Sequence, residues 1–552
     1  MRFKQSPMET QRFEVLIAGG GFAGAYCARS LARALGRESI YKVGLLAGQN
    51  IMVFQPMLAE VAAASLSPLD VVNPLRQFCR GVNVMRGSIV EIDLKERRLI
   101  LDAGRVTQNV ELEFGHLVLA LGSVVDLSRV PGMAEHSLVL KGVGDALKIR
   151  TTVINRLEQA NLEQDREHIG HLLTFVVVGG GYSGVETAGQ MLDLLQRIKK
   201  YYHNLRDVPL RVVLVHSGPT LLPEVGESLG RYAERKLRGR GMEILLNTRV
   251  KSMTAYRVFL DKGDPIGATT VISTVGNAPH PVVTDLCAAA GLQTKKGRIV
   301  TDSAMRVPGH DRLWAAGDCA AVPVDGKESP ATAQFAQRQG KVLGKNIAQV
   351  LRGQEPQPFR HKNLGQLASI GHFSAVAEIM GVQFSGFVAW WIWRTVYLLK
   401  LPRLQRKLRV MVDWTMDLFF PRDISVLVPG PTELFGEMHL EPGCVVFHAG
   451  EPAFSFYIVK DGRVDLFDGD RVVKSLTAGQ HFGNQELVEG ARWPFSAMAA
   501  EPTTLVSVSR KAFETMIESS TAFRRALGLQ EAPEKPATQS GRPQPAEPQL
   551  QR

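Results

Sequence analysis

Residues 13–24, FEVLIAGGGFAG, decide the fold. Residues 13–18 form an apolar run without period-2 alternation, as expected of a strand buried on both faces of a parallel sheet. Gly19-Gly20-Gly21-Phe22-Ala23-Gly24 then satisfies G-x-G-x-x-G ahead of a helix expected over about 23–35. Gly19 permits the tight turn, Gly21 lets backbone approach a pyrophosphate, and Gly24 lets helix and strand pack closely. The helix N-terminus adds positive dipole and free N–H groups. The same grammar returns at residues 174–178 (TFVVV) followed by Gly179-Gly180-Gly181-Tyr182-Ser183-Gly184, with Gly179, Gly181 and Gly184 in the three roles. That spacing is too long for a solenoid repeat, and two dinucleotide-binding domains account for it.

The 552 residues exceed what one core organises, so three or four domains are expected. Apolar (45%) and charged (22%) contents fit a globular chain rather than a disordered one. A net charge of +11 favours anionic partners such as nucleotides or phospholipid. The five cysteines (Cys27, Cys79, Cys287, Cys319, Cys444) form no CxxC pair, which argues against a disulfide framework or metal site and for a reducing, cytoplasmic compartment. The first residues lack the apolar core of a secretory signal, and no apolar stretch reaches the length of a spanning helix.

Further segments fall in a consistent order. Residues 116–123 (HLVLALGS) read as a strand ending in a turn at Gly122, and residues 271–277 (VISTVGN) as a counterpart with Gly276. Residues 313–318 (LWAAGD) place Gly317 and Asp318 after a small-residue strand, a carboxylate suited to a flavin's ribitol. Both glycine sites depart from the usual pattern: where a ribose-binding acid normally ends the second strand, Ala47 and His216 stand instead. No Arg or Lys follows His216 closely enough to serve a 2′-phosphate, which leaves NADH and NADPH both open as donors.

On these motifs, residues 13 to about 425 resemble the type II (non-pumping) NADH:quinone oxidoreductases. The likeness rests also on Phe54-Gln55-Pro56-Met57-Leu58, Gly184-Val185-Glu186-Thr187-Ala188-Gly189 and Ala333-Gln334-Phe335-Ala336-Gln337-Arg338-Gln339. It implies an α/β fold of the two-dinucleotide-binding-domain flavoprotein class, Rossmann-like and of glutathione-reductase type, with a C-terminal β-roll. An FAD domain would comprise 1–128 and 295–375, with an NAD(P)H domain at 129–294. NAD(P)H is then a substrate delivering hydride to FAD, whose electrons pass to a quinone. Gln55, Pro56 and Ala333 would join the glycines and Asp318 around the cofactors. By the same resemblance Glu186 sits near the nicotinamide, and Gln334 and Arg338 on one helix face the flavin and quinone. Arg338 replaces a second glutamine usual in the family. Sulfide:quinone and dithiol relatives need cysteines near the flavin that this chain lacks, and Cys319 reads as packing.

Residues 376–428 read as a membrane-associating helical segment. Trp390, Trp391, Trp393 and Tyr397 are followed by Lys400, Arg403, Arg406, Lys407 and Arg409, so Trp390–Arg409 is expected to lie on an anionic membrane surface, peripheral and on the cytoplasmic face. Aromatics with arginine also suit a subunit interface, and a homodimer is the expected assembly. Residues 429–528 resemble a cyclic-nucleotide-binding β-roll, through Gly450-Glu451, Gly462-Arg463-Val464 and Phe482-Gly483, with a helix expected around 512–517. Asn484 stands where that family has a ribose-binding Glu, and Trp493 or Pro494 where it has a phosphate-binding Arg, with Arg492 adjacent. A cyclic nucleotide or a protein is the partner to expect there, and a degenerate docking or regulatory module is the favoured reading. Residues 529–552, rich in Pro, Gln and Glu, read as a disordered tail.

The leading function is therefore a membrane-associated NAD(P)H:quinone oxidoreductase with an appended regulatory or docking domain. One alternative is a flavoprotein oxidoreductase of the same fold with another donor or acceptor. Another is a flavin- and nicotinamide-binding redox sensor with little turnover that signals through the β-roll. A nucleic-acid binder fits poorly, because the cations gather beside tryptophans.

Overall fold

The two apolar runs become strands because burial on both faces removes any penalty for continuous hydrophobicity. The computed structural model describes residues 11–103, 109–361, 365–426, 435–451, 453, 455–483, 492–509 and 513. The chain divides into two compact units, Met1–Val428 and Pro429–Arg552.

In the first unit, β1 (Gln11–Ala18), helix α1 (Phe22–Leu35) and β2 (Val43–Ala47) open the chain, and β3 (Asn109–Leu119) pairs with β1 on its other side. The second glycine site lies between β4 (Thr174–Val178) and α2 (Tyr182–Ile198), beside β5 (Arg211–Val215) and β6 (Thr270–Ser273). The chain then adds β7 (His310–Ala315), α3 (Ala333–Val350), α4 (Gly386–Lys400) and α5 (Leu404–Phe419).

The first sheet runs Arg306–Val307, β7, β3, β1, β2, Asn83–Arg86, with Arg98–Asp102 and Ser88–Asp93 hung antiparallel from β3. From β7 to Asn83–Arg86 it is parallel. The second sheet is parallel throughout, in the order Ser137–Val139, β6, β4, β5, Glu243–Leu245. Each glycine loop leaves a central strand where the order reverses, the place at which open α/β sheets bind ligands. The sheets are joined where Ser123–Val125 pairs antiparallel with Asn277–Pro279.

Helices α1 and α3 pack along each other because Gly340 and Gly344 carry no side chain: a Cβ on Gly344 would come within 2.8 Å of the Leu31 amide. Among the described residues no helix is long and apolar enough to cross a membrane. Helix α4 corrects one expectation. Trp390 and Trp393 are buried against the domain and Tyr397 is largely buried, so of the four aromatics expected at the surface Trp391 alone, 60% exposed, is free to meet one, joined there by Phe387. A helix packed on a globular domain spends one face on the core, and its aromatics divide accordingly.

The second unit is a pair of four-stranded antiparallel sheets, Phe435–Leu440, Thr503–Ser509, Ser455–Asp461, His481–Phe482 and Val445–Phe447, Ser496–Ala499, Arg463–Asp468, Arg471–Thr477. The helix expected at 512–517, Asn484 and the 529–552 tail lie outside the described residues.

Candidate functional site

A cavity of about 500 Å³ opens between the two sheets of the first unit. Both helix N-termini that follow the glycine loops are bare. Neither Gly21 nor Gly181 provides a side-chain cap, and neither first turn contains an acid. The orphan amides there are available to an anion, reinforced by the helix dipole. Space is arranged to match. A methyl on Gly24 would sit on the Gly19 carbonyl oxygen, and one on Gly184 on that of Gly179, whereas nothing lies within 4 Å of a Cβ on Gly21. The third glycine is thus demanded by packing, and Gly21 leaves its open side to a ligand, whereas a Cβ on Gly181 would meet Glu224 Oε1 at 3.5 Å. Gly122, Gly276 and Gly317 all have positive φ (71°, 92° and 80°) at the turns that end their strands.

The expected site residues are brought together from distant sequence. Gln55, Pro56, Glu186, Asp318, Ala333 and Gln334 all line the cavity. Asp318 follows the sharp Gly317 turn, whose amide donates to Gln339 Oε1 (2.8 Å), and Gln339 in turn holds Ser329 (2.9 Å). This buried glutamine locks the Asp318 turn to α3. The α3 N-terminus is capped by the Thr332 hydroxyl, and Thr332, Ala333 and Gln334 present that end to the cavity.

Glu186 lies one turn into α2, buried, and accepts from the Ser369 amide (3.0 Å). Burial pushes its carboxyl up to about 8, partly opposed by that amide, with Glu60 adding to the rise. Glu60, in the short helix Leu58–Ala62 next to Gln55–Met57, is likewise pushed by burial up to about 7, against the pull of Arg394 and the Trp414 indole. Near neutrality Glu186 at the cavity is thus mostly protonated, while Glu60 behind it is poised between its two forms.

Arg338 is placed differently from the expectation. It is absent from the lining, and its Nη1 lies against both ring nitrogens of His361 (2.6 Å to Nε2), while Gln334 Nε2 is 3.4 Å from the same Nε2. Burial, followed by repulsion from Arg338, holds His361 below its ordinary pKa, so the neutral ring can accept from the guanidinium.

At the end of β5, His216 Nδ1 accepts from the Gly180 N–H (3.1 Å), and burial lowers its pKa. A neutral ring therefore stands where a ribose-binding acid is usual, offering neither a carboxylate for a 2′-hydroxyl nor a cation for a 2′-phosphate.

Several lining residues escaped the sequence reading. Lys141, in the turn after the second sheet's edge strand Ser137–Val139, donates to Ser123 (3.0 Å), which faces Asp318 (3.5 Å), and its carbonyl accepts from Gln55. Tyr182, inside the second glycine motif, hydrogen-bonds Gln366, and Tyr397 and Lys400 come from α4. Only Tyr182 carried a local signal. All five cysteines are buried, and none lines the cavity.

Two glycine-turn dinucleotide folds sharing one polar-and-apolar cavity define an oxidoreductase that uses a pyridine nucleotide. The chain belongs to the pyridine nucleotide-disulphide oxidoreductase family, whose description matches residues 13–340. Residues 363–423 match the NDH2 C-terminal domain, and residues 437–520 match the cyclic nucleotide-binding domain. The type II NADH:quinone oxidoreductase Ndh of Mycobacterium tuberculosis is 29% identical over 74% of this chain and 88% of its own. The mitochondrial external alternative NADH-ubiquinone oxidoreductase of Yarrowia lipolytica is 27% identical over 76% and 82%. The fold is also that of Plasmodium falciparum NDH2 solved in complex with NADH, with a TM-score of 0.70 at 17% identity, over 75% of this chain and 100% of that one.

In the second unit, Trp493 stacks on Phe447 (centroids 3.7 Å apart, 7° between planes) within the core that also holds Tyr457 and Phe482. Arg492 turns back to donate to the Gly450 carbonyl (3.0 Å).

Proposed function

We propose that this chain is a peripheral, membrane-associated NAD(P)H:quinone oxidoreductase that uses FAD. The observation that carries it is the single cavity onto which both bare helix N-termini open, with Glu186 on one wall and Ala333–Gln334 on another. The bare N-terminal amides, the open side of Gly21 and the Asp318 turn fit a flavin dinucleotide. When bound there, FAD supplies a two-electron relay between the nicotinamide and a quinone.

The chain's own residues divide the remaining work. Residues 1–128 and 295–375 hold the flavin through Gly19, Gly21, Gly24, Gln55, Pro56, Gly122, Gly317, Asp318 and Ala333. Residues 129–294 hold NAD(P)H through Gly179, Gly181, Gly184 and Gly276. Protonated Glu186 keeps a hydrogen-bond donor on the nicotinamide side and withholds negative charge from a site that must accept reducing equivalents. The α3 N-terminus places positive potential where negative charge develops, and Gln334 offers an amide donor to a quinone oxygen. Arg338 acts on the acceptor through His361 and Gln334. Helices α4 and α5, within residues 376–428, seat the enzyme on the cytoplasmic face of a membrane, and the working assembly is a homodimer. The β-roll at 429–528 serves docking or regulation.

Anaerobic titration of the purified protein with NADH and NADPH, followed by a soluble ubiquinone, tests the reading. Flavin absorbance should bleach with donor and return with quinone, and the titration ranks the donors. A bound flavin that neither nucleotide reduces overturns it in favour of a sensor or another donor.

A further inference from the structure

Helices α1, α3 and α4, of 14, 18 and 15 residues, contain no Asp or Glu, in a chain where 54 of 552 residues are acidic. They carry Arg29 and Arg33 on α1, Arg338, Lys341 and Lys345 on α3, and Arg394 and Lys400 on α4. The close packing at Gly340 and Gly344 brings α1 against α3, and the Ser30 hydroxyl donates to the Lys341 carbonyl (2.8 Å). Arg29 and Arg33, one turn apart, therefore flank Lys341, and Lys345 lies one turn further along α3. Arg33, Lys341 and Lys345 are exposed, while Arg29 lies over the Phe78 ring (4.6 Å) and Lys341 near the Tyr26 ring (5.2 Å).

The row continues to α4. The charged side chains acting on Lys341 are Arg338, Arg29 and Arg33, and the one acting on Lys400 is Arg338. No carboxylate is among them. Concentrating cations without counter-charges costs folding energy unless an anionic partner offsets it.

We propose that this ridge on α1 and α3 binds the headgroups of an anionic phospholipid bilayer, extending the membrane footprint from α4–α5 onto the flavin-binding half of the enzyme. The proposal rests on the membrane reading above. Continuity argues for lipid over other polyanions: Lys400 joins the ridge to α4, where Phe387, Val388, Trp391 and Leu399 are exposed, and α5 adds exposed Leu408, Met411 and Val412. An apolar face bordered by cations is what an interfacial surface needs, because burial in the acyl boundary and attraction to anionic lipid act together. Seating α1 and α3 on the bilayer also brings the Gln334 end of the cavity towards the phase in which a lipid-soluble quinone is dissolved.

The test is vesicle flotation of the full chain with phosphatidylcholine alone and with a phosphatidylcholine–phosphatidylglycerol mixture. Wild type should bind the mixed vesicles about tenfold more tightly, with the preference fading as salt rises. The variant R29Q/R33Q/K341Q/K345Q should lose most of that preference, retaining the part supplied by the α4–α5 cations such as Lys407 and Arg409, keep its affinity for phosphatidylcholine and still reduce a soluble quinone. Leu408→Asp with Met411→Asp should weaken binding to both vesicles. If the quadruple variant binds mixed vesicles like wild type, or wild type shows no salt dependence, the ridge assignment is wrong. If wild type binds neither vesicle, the membrane reading falls with it. A short DNA duplex bound as tightly as the mixed vesicles, and released by the quadruple variant, would instead assign the ridge to nucleic acid. Should the quadruple variant fail to fold, Arg33→Gln with Lys345→Gln, both at exposed positions, decides by the same comparison.

Discussion

The indole N–H of Trp414 on α5 donates to Glu60 Oε2 across 3.3 Å and 354 residues of sequence. Glu60 follows the Gln55–Met57 turn at the cavity, and Arg394 and Arg422 pull on its charge. Arg422 donates to the Ala63 carbonyl (3.0 Å) and to Asp417, which also receives Arg197 from α2. A buried polar network thus ties the last helices of the first unit to the cavity wall. Trp414→Phe removes the donor together with part of a buried ring that Arg394 covers (4.8 Å), and should destabilise the first unit by about 1–3 kcal/mol. A denaturant-midpoint series checks this, and a double-mutant cycle with Glu60→Leu should show the two losses to be non-additive.

The two buried carboxyls set a pH dependence. Their folded-state values of about 7 for Glu60 and about 8 for Glu186 lie above the ordinary 4.5. The folded state therefore holds protons that the unfolded chain releases, and stability present below pH 4.5 is lost as pH rises through 7 and 8. Melting curves recorded from acid to alkaline pH should fall over that window. Glu60→Gln and Glu186→Gln should each flatten the decline. A pH-independent melting temperature would mean that neither proton is retained.

The two glycine loops should fail separately. Gly24→Ala forces a methyl onto the Gly19 carbonyl and should yield protein without flavin absorbance. Gly184→Ala makes the equivalent clash at Gly179 and should keep the flavin while slowing its reduction by NADH about 100-fold, as misplaced reactants require. Spectra of the purified variants and stopped-flow reduction distinguish the two.

Gln334 lines the cavity and Arg338 does not. Gln334→Ala should therefore lower kcat/KM for a soluble quinone about tenfold or more, while Arg338→Gln should change it only about threefold, through the released His361. Steady-state kinetics at saturating donor measure both. An equal or larger loss at Arg338 would place its guanidinium on the quinone.

Cyclic nucleotides should leave the second unit unmoved. Trp493 is packed on Phe447 at the position expected of a phosphate-binding arginine, and Arg492 is committed to the Gly450 carbonyl. Millimolar cAMP or cGMP should shift its melting temperature by less than about 1 °C, since a ligand stabilises only in proportion to its occupancy. A clear dose-dependent shift would restore ligand binding to the β-roll.

Much of this molecule was legible in its sequence, because the deciding constraints are local. A strand, three glycines and a helix within a dozen residues define a phosphate turn whatever surrounds it, and each glycine's role follows from backbone sterics. The Gly317–Asp318 turn and the Ala333–Gln334 helix start show locally as a glycine after a small-residue strand and a Thr before a helix, whereas Glu186 was placed by family resemblance and is held in the fold by Ser369, 183 residues on. Tertiary structure alone decided which distant side chains meet. Lys141, Tyr397 and Lys400 reach the cavity only because the turn after Ser137–Val139 and helix α4 come back to it. Trp390 and Trp393 turn inward because α4 has a core face that composition cannot reveal. Arg338 leaves the cavity for His361, 23 residues on, and the α1–α3 cations become one ridge only where two glycines let their helices touch. Periodicity and turn chemistry act over a few residues and can be read from the chain. Packing partners are chosen across hundreds of residues by shape and burial, and no local pattern records that choice.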